Sequence, residues 1–261
     1  MARGRTQQVM VGRVRDGVVA REPDSVAVEE PMEIRLDDHL VTTTMRTPGN
    51  DFELAVGFLF AEGLLAGAPV REVRYCATGS AVETEFNVVS VDTGGRAPVP
   101  EARLTLTTSA CGLCGSASIE QLQERLSPLT RVVEVPDDVL TALPGRMGEA
   151  QPLFAATGGL HAAAAFTAAG EVVLVREDVG RHNAVDKLVG RLVLDGGLPA
   201  HHLGLFASGR ASFEIVQKAW AAGFALVAAV GAPSSLAVET ARAAGMGLVG
   251  FLRPTGLNRY A

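Results

Sequence analysis

The stretch HLGLFASGRASFEIVQKAWAAGFALVAAVGAPSSLAVETARAAGMGLVGFLR, residues 202–253, alternates short apolar runs with longer amphipathic segments. The apolar runs have the length and composition of buried strands, and the amphipathic segments have helical spacing. Strands that alternate with helices form βαβ units, in which a sheet with substantial parallel character carries helices on its faces. The stretch therefore predicts an α/β fold.

The alternation extends upstream to a strand at residues 171–178 and a helix at residues 183–197. The first third of the chain instead has the alternating pattern of β-strands, including a hairpin that turns at Asp37-Asp38 and a strand at residues 83–91. One strong helix follows "TPGN" there, and Asn50 or Asp51 can cap it. We expect a β-rich subdomain with one long helix at residues 1–105 and an α/β domain at residues 106–261.

Composition limits the function classes. With 261 residues, 48% of them hydrophobic and 20% charged, the chain is typical of a globular protein. Its net charge of −6 argues against nucleic acid as a partner, and the acidic excess lies within residues 1–130, so we expect any anion site in the second half. The apolar runs are too short to span a bilayer, and the N-terminus lacks a secretory pattern. Together with three cysteines, an odd number, this predicts a cytoplasmic protein with reduced thiols.

Two of those cysteines, Cys111 and Cys114, lie in the glycine-flanked stretch "SACGLCGSAS" at residues 109–118. A helix predicted to begin just after Cys114 favours the thiolate, which is the reactive form of cysteine. A zinc site would need further ligands at recognisable spacing, and no second CxxC is present, so we expect no metal. A dithiol redox site, a carrier of a group attached to sulfur and a structural turn stay open at this point.

Three strand-to-helix junctions carry polar residues, and in α/β sheets such junctions meet at the carboxyl ends of the strands, where ligands bind. Helix N-termini and arginines there are suited to phosphate, although each junction alone is also typical of ordinary turns and caps. The candidate residues are Gly180, Arg181, His182, Ser208, Gly209 and Arg210, with a third junction at residues 231–239 and Arg253 after the last strand.

Other polar residues in this half allow more than one interpretation. His161, after a Gly158-Gly159 turn, is an acid–base group, an ion-pairing partner of a thiolate, or structural. The acidic residues Glu177, Asp178 and Asp186 either orient Arg181 or Lys187 or lie on a solvated face. Cys76 is interpreted as a buried apolar residue on a strand.

From about Glu30 to Tyr260 the sequence resembles the FdhD family of formate dehydrogenase accessory sulfur carriers. The resemblance rests on the blocks "TPGNDFELAVGFLFAEGLL", "CGLCG", "TGGLHAAAAF", "REDVGRHNAVDKLVG", "SGRASFEIVQKA" and "LVGFLR". It implies a cytidine-deaminase-like three-layer α/β domain with a smaller β-containing part attached, and it implies a homodimer.

The resemblance also implies a sulfurtransferase. Cys111 would accept sulfur from a cysteine desulfurase as a persulfide, and Cys114 would assist. The sulfur would pass to the metal of a molybdenum bis(guanine dinucleotide) cofactor, a bound substrate, before that cofactor enters formate dehydrogenase. The implied cofactor-binding segment near the C-terminus comprises Phe251, Leu252, Arg253, Pro254, Thr255 and Gly256. Alternative functions are a cofactor chaperone without sulfur transfer and a dithiol oxidoreductase.

Overall fold

The structure, a computed structural model, describes residues 4–76, 80–100, 120, 124–130 and 133–261. The strands in these ranges are β1 Thr6–Arg15, β2 Val18–Ala27, β3 Glu30–Leu36, β4 His39–Arg46, β5 Glu72–Tyr75, β6 Val88–Asp92, β7 His161–Phe166, β8 Val172–Asp178, β9 Gly204–Ala207, β10 Leu226–Ala229, β11 Gly247–Arg253 and β12 Gly256–Arg259. The helices are α1 Asp51–Ala61, α2 Asp137–Glu149, α3 Pro152–Thr157, α4 Arg181–Leu194, α5 Phe213–Ala222 and α6 Ser235–Ala244.

A six-stranded sheet with the order β12-β11-β10-β9-β7-β8 forms the larger part of the molecule. Strands β9, β10 and β11 are parallel and are joined by α5 and α6, which confirms the predicted βαβ units. Strand β7 runs antiparallel to both β8 and β9, and β12 returns antiparallel to β11. The start of β7 therefore lies at the same edge of the sheet as the ends of β8 and β9.

Helices cover both faces of this sheet, which confirms the predicted α/β class. One face buries an apolar cluster that includes Val185, Leu188, Ile215 and Trp220 from α4 and α5. The other face packs Phe166 and neighbouring side chains against α2. The three layers are thus helices, sheet and helix, while the likeness to cytidine deaminases stays a prediction.

A four-stranded sheet with the order β4-β3-β6-β5 packs against α1 and contains the predicted hairpin at Asp37-Asp38. The strand predicted at residues 83–91 is wrong in its first half: residues 81–86 form turns, with positive φ at Glu85 and Phe86, and β6 begins only at Val88. Phe86, which lies just before the apolar run of β6, extended the pattern of a strand into these turns.

The predicted capping of α1 is also wrong. Asn50 occupies the N-cap position with φ 57°, and its side chain makes no capping hydrogen bond. Asp51 instead accepts hydrogen bonds from the buried Arg46 guanidinium at 3.1 and 3.2 Å. The carboxylate is therefore used to neutralise a buried arginine.

Helix α1 joins the two sheets because it also packs closely on α4. A Cβ atom on Gly57 would overlap the carbonyl oxygen of Asp186, and one on Gly190 would overlap that of Glu53. Two glycines thus let the helix backbones touch. The predicted domain boundary at residues 105 and 106 lies outside the described residues. Within the described part, no helix has both the length and the hydropathy needed to cross a membrane.

Candidate functional site

The predicted junctions meet along one edge of the six-stranded sheet, which we call the carboxyl edge, where β8, β9, β10 and β11 end. Backbone hydrogen bonds join the neighbouring strand ends: Ser208 N donates to Ala162 O at 3.0 Å and Gly231 N to Gly209 O at 2.8 Å. Phe251 N donates to Gly231 O at 3.1 Å, so the C-terminal segment continues the same edge.

His161 begins β7 and lies between the ends of β8 and β9. A Cβ atom on Gly209 would lie 3.4 Å from the imidazole Nδ1, so glycine lets the loop approach the ring. Burial lowers the pKa of His161, the charges of Arg181 and His182 lower it further, and Asp178 opposes them. These neighbours favour a neutral imidazole beside a positively charged edge.

Arg181, the first residue of α4, has a buried Nε atom for which the described part of the chain offers no hydrogen-bond partner. Buried side-chain donors are rarely left unpaired, and each exception calls for an explanation such as a missing ligand. The position of Arg181 beside Gly209 and His161 makes an anion bound at the carboxyl edge the fitting partner.

The turn that precedes Arg181 is anchored by Asp178, which is fully buried. Its Oδ1 accepts hydrogen bonds from Gly180 N at 2.8 Å and from Asn183 Nδ2 at 3.0 Å. Its Oδ2 accepts from Thr47 N at 3.1 Å and pairs with Lys187 Nζ at 2.7 Å. The hypothesis of a solvated acidic face is therefore wrong for Asp178.

Thr47 ties this turn to the N-terminal sheet. Its hydroxyl accepts a hydrogen bond from Val179 N at 3.2 Å, and its carbonyl accepts one from Lys187 Nζ at 2.9 Å. The block that begins at Thr47 and the block around Arg181 are thus neighbours in space. The sequence did not predict this contact, because no local pattern shows that two segments far apart in the chain pack against each other.

The three helices that begin at the carboxyl edge differ in how their first turns are bonded. At α4 the Asp178 carboxylate already lies beside the N-terminus. At α6 the Ser234 hydroxyl accepts a hydrogen bond from Ala237 N at 3.2 Å. At α5 the N-cap residue Ser212 makes no side-chain capping bond. Within the described residues, neither α4 nor α5 therefore has a side-chain capping hydrogen bond, and the first turn of α5 carries the acidic residue Glu214.

The C-terminal candidate residues separate into exposed and buried groups. Phe251, with φ 52°, and Arg253, Pro254 and Thr255 are exposed, whereas the side chain of Leu252 lies in the core. Arg253 Nη1 donates to its own strand at Leu252 O and to the neighbouring strand at Val230 O, at 2.8 and 2.7 Å. Of the other candidates, Arg210 is exposed and Ser208 is partly buried.

A cavity of about 470 Å³ opens at this edge, between the sheet and helices α2 and α3. His161 and Ser208 line it on the sheet side, and Met147 and Phe154 line it on the helix side. The cavity gives the carboxyl edge a concave, largely apolar surface next to its charged groups, as is usual for small-molecule sites.

The two CxxC thiols, Cys111 and Cys114, lie outside the described residues. The third cysteine, Cys76, is buried as predicted, but it follows β5 instead of lying on a strand. Its backbone has φ 71°, and its Sγ lies 3.0 Å from the hydroxyl of Thr84.

Comparison with known proteins gives consistent results. Residues 27–261 match the sequence profile of the FdhD/NarQ family. The sulfur carrier protein FdhD of Streptomyces avermitilis is 49% identical over 265 residues, which cover 98% of this chain and 94% of that protein. The protein of the same description from Mycobacterium tuberculosis is 46% identical over 242 residues, covering 88% and 87%.

A crystal structure described as that of a formate dehydrogenase accessory protein from Desulfotalea psychrophila superposes with a TM-score of 0.77. It is 25% identical in sequence, and the match covers 98% of this chain and 97% of that one. Sequence and fold therefore agree over nearly the whole length. The chain belongs to the FdhD/NarQ family.

Proposed function

We propose that this protein is a sulfur carrier in formate dehydrogenase maturation. It accepts sulfur from a cysteine desulfurase as a persulfide on Cys111, with the help of Cys114, and passes it to a molybdenum bis(guanine dinucleotide) cofactor bound as substrate. The sulfurated cofactor then enters formate dehydrogenase. The names of the relatives and of the similar crystal structure support the general role.

The observation that carries the cofactor part of this proposal is the unpaired, buried Nε of Arg181 at the carboxyl edge. A guanine dinucleotide is anionic through its phosphates, and a guanidinium donor is well suited to phosphate oxygen. The first turn of α5, which has no side-chain cap, adds backbone N–H groups nearby. Gly180, Ser208, Gly209 and the FLRPTG turn at residues 251–256 complete the proposed binding edge.

The length of the edge also fits an extended ligand. The ends of β8 and β11 are four strand spacings apart, or about 19 Å. A single phosphate would occupy a small part of that distance, whereas a ligand with two nucleotide arms can reach Arg181 near one end and Arg253 near the other.

The sulfur step follows thiol–disulfide exchange. The Cys111 thiolate attacks the sulfane sulfur of the desulfurase persulfide, so that a new S–S bond forms on Cys111 and the desulfurase thiolate leaves. The rate depends on the thiolate fraction and on access to the sulfur. Glycines on both sides of the CxxC segment allow it to present that sulfur to two partners in turn. We place the carrier in the cytoplasm as a homodimer.

Mass spectrometry of the CxxC peptide tests the sulfur step. After incubation with a cysteine desulfurase and free cysteine, the wild-type peptide should gain one sulfur atom, and Cys111→Ala should not. Cys76→Ala is the matched control, because Cys76 is buried against Thr84, and this variant should load sulfur as the wild type does. A wild-type peptide that stays unmodified while the protein binds guanine nucleotide would instead indicate a chaperone without sulfur transfer.

Calorimetric titration with GDP tests the binding edge. Arg181→Ala should weaken GDP binding by about 10-fold to 100-fold, because a charge-assisted hydrogen bond contributes about 1.5–3 kcal/mol. Arg191→Ala, an exposed arginine on the same helix that pairs with Asp195, is the control and should leave the affinity unchanged. Equal GDP affinities for the wild type and Arg181→Ala would contradict the proposed role of Arg181.

A further inference from the structure

Three side chains at the start of α5 form a hydrogen-bonded series. The Ser212 hydroxyl lies 3.1 Å from His182 Nε2, and His182 Nδ1 lies 2.8 Å from Glu214 Oε2. The His182 and Glu214 side chains are 15% and 16% exposed, so the series is largely shielded but not closed to solvent. A hydroxyl, an imidazole and a carboxylate in this order form the arrangement that activates a serine nucleophile.

The hydroxyl of Ser212 does not make the capping hydrogen bond that a serine at the N-cap position usually makes. Ser212 and Ser234 are both N-cap residues with nearly the same backbone, φ −81° and ψ 165° against φ −87° and ψ 161°. The Ser234 hydroxyl caps its helix through Ala237 N, as N-cap serines usually do. The Ser212 hydroxyl is bonded to a histidine instead, and that choice leaves the first turn of α5 without a side-chain cap.

We infer that Ser212 is an activated nucleophile, with His182 as its general base and Glu214 as the group that orients the imidazole. With its proton on Nδ1, directed at Glu214, His182 has Nε2 free to accept the hydroxyl proton of Ser212. This site lies on the carboxyl edge but is independent of the CxxC thiols. It would provide an acyl-transfer activity that is separate from sulfur transfer.

The reaction needs only an ester and water. Ser212 Oγ forms a bond to the ester carbonyl carbon while its proton passes to His182 Nε2, and the C–O bond to the leaving alcohol breaks as that proton passes to the alcohol. Water then attacks the acyl-serine with His182 again as base, which releases the carboxylic acid and restores Ser212. The N–H groups at the start of α5, which have no side-chain cap within the described residues, would supply the donors for the oxyanion.

The charges around the triad indicate the substrate class. Arg181 precedes His182 in the chain, and its Nε is the buried donor without a partner. Arg210 lies two residues before Ser212 and is exposed. An arginine directly before His182 and another two residues before Ser212 favour an ester that carries a negative charge.

Labelling with a fluorophosphonate probe, followed by peptide mass spectrometry, tests the nucleophile. The wild type should carry the adduct on Ser212 and not on Ser234, the matched N-cap serine. Replacing the base in His182→Gln should slow labelling by about 100-fold or more, since general-base catalysis contributes 10²–10⁴-fold. An absence of adduct on Ser212, or equal labelling of both serines, would overturn the inference whatever the outcome for sulfur loading.

The substrate class is tested with two p-nitrophenyl esters. The anionic hemisuccinate should be hydrolysed up to about fivefold faster than the neutral acetate, and Arg181→Ala should remove that preference, because a partly exposed charge pair contributes up to about 1 kcal/mol. Equal rates for the two esters in the wild type would refute the anionic class. Ser212→Ala should hydrolyse neither ester above the rate in buffer, and hydrolysis that persists in that variant would contradict the assignment.

Discussion

Two buried aspartate–lysine pairs involve helix α4, and they differ in the number of donors that each carboxylate receives. Asp178 is bonded to Lys187 and to three further donors, from Thr47, Gly180 and Asn183. For Asp186 the described part of the chain provides one donor, Lys218 Nζ at 2.7 Å. Both carboxylates are almost fully buried, at 0% and 2% exposed.

The charges around Asp186 show the consequence of that difference. Burial raises the pKa of Asp186 to about 6, Lys218 opposes the rise, and Glu62 and Glu214 add to it. Burial lowers the pKa of Lys218, but the carboxylates of Asp186, Glu62 and Glu214 outweigh it, so the pKa of Lys218 is raised. Among the residues that the structure describes, Lys218 is thus the one cation near several carboxylates at Asp186, whereas Asp178 accepts hydrogen bonds from several donors. A buried carboxylate needs hydrogen bonds as well as a counter-ion to stay charged at low cost.

The largest expected effect comes from breaking the well-bonded pair. Lys187→Met should lower the free energy of unfolding by about 3–5 kcal/mol, because it leaves the Asp178 carboxylate buried without its counter-ion. Urea denaturation measures the loss. Arg191→Ala is the control on the same helix, since its pair with Asp195 is about half exposed and contributes about 1 kcal/mol or less. Equal losses of unfolding free energy in Lys187→Met and Arg191→Ala would mean that the buried Asp178–Lys187 pair contributes no more to stability than an exposed pair.

The pH dependence of the free energy of unfolding tests the other pair, Asp186 and Lys218. Asp186 has a pKa of about 6 in the folded chain against 3.8 for the free group, so the folded state holds its proton more tightly. The stabilisation from that proton is fully present below about pH 4 and is lost as the pH rises through 6. It amounts to about 3 kcal/mol, since one unit corresponds to about 1.4 kcal/mol.

The measurement compares the wild type with Asp186→Asn by urea denaturation between pH 4 and pH 7. Other carboxylates titrate in both proteins, so the difference between the two curves isolates Asp186. Relative to the variant, the wild type should lose stability across this range. A difference that is constant with pH would show that the Asp186 pKa is not raised.

The two pairs also show which features could be predicted from sequence. The βαβ units at residues 202–253 were predictable because apolar strands and amphipathic helices have different periodicities, and the positions of Ser208, Gly209 and Arg181 at one edge follow from that topology. Asp178 and Asp186 look alike in sequence. Whether each is buried, and how many donors surround it, depends on groups just after β4, just after α1 and on α5 that no local pattern connects to them.

The same limit explains the error near α1 and the bonding of Ser212. Asn50 and Ser212 belong to residue types that commonly cap helices, and the sequence predicted such a cap at Asn50. At Asn50 the backbone is left-handed, and at Ser212 the hydroxyl is bonded to His182. Tertiary partners decide the bonds of a polar side chain where the local preference amounts to only about 1 kcal/mol.

The smallest expected effect concerns the Thr47 hydroxyl. Its removal tests how much this contact from the N-terminal sheet stabilises the turn that follows Asp178. Thr47→Val keeps the shape of the side chain but removes the hydroxyl that accepts from Val179 N, so the free energy of unfolding should fall by about 1 kcal/mol. Thr47→Ser should restore most of that loss, and Thr141→Val, at an exposed hydroxyl on α2, should change stability very little. Because the backbone N–H and carbonyl of Thr47 continue to bond Asp178 and Lys187, the ion pair stays intact in Thr47→Val. A loss as large as that of Lys187→Met would therefore mean that the hydroxyl, and not the buried charges, holds this turn in place.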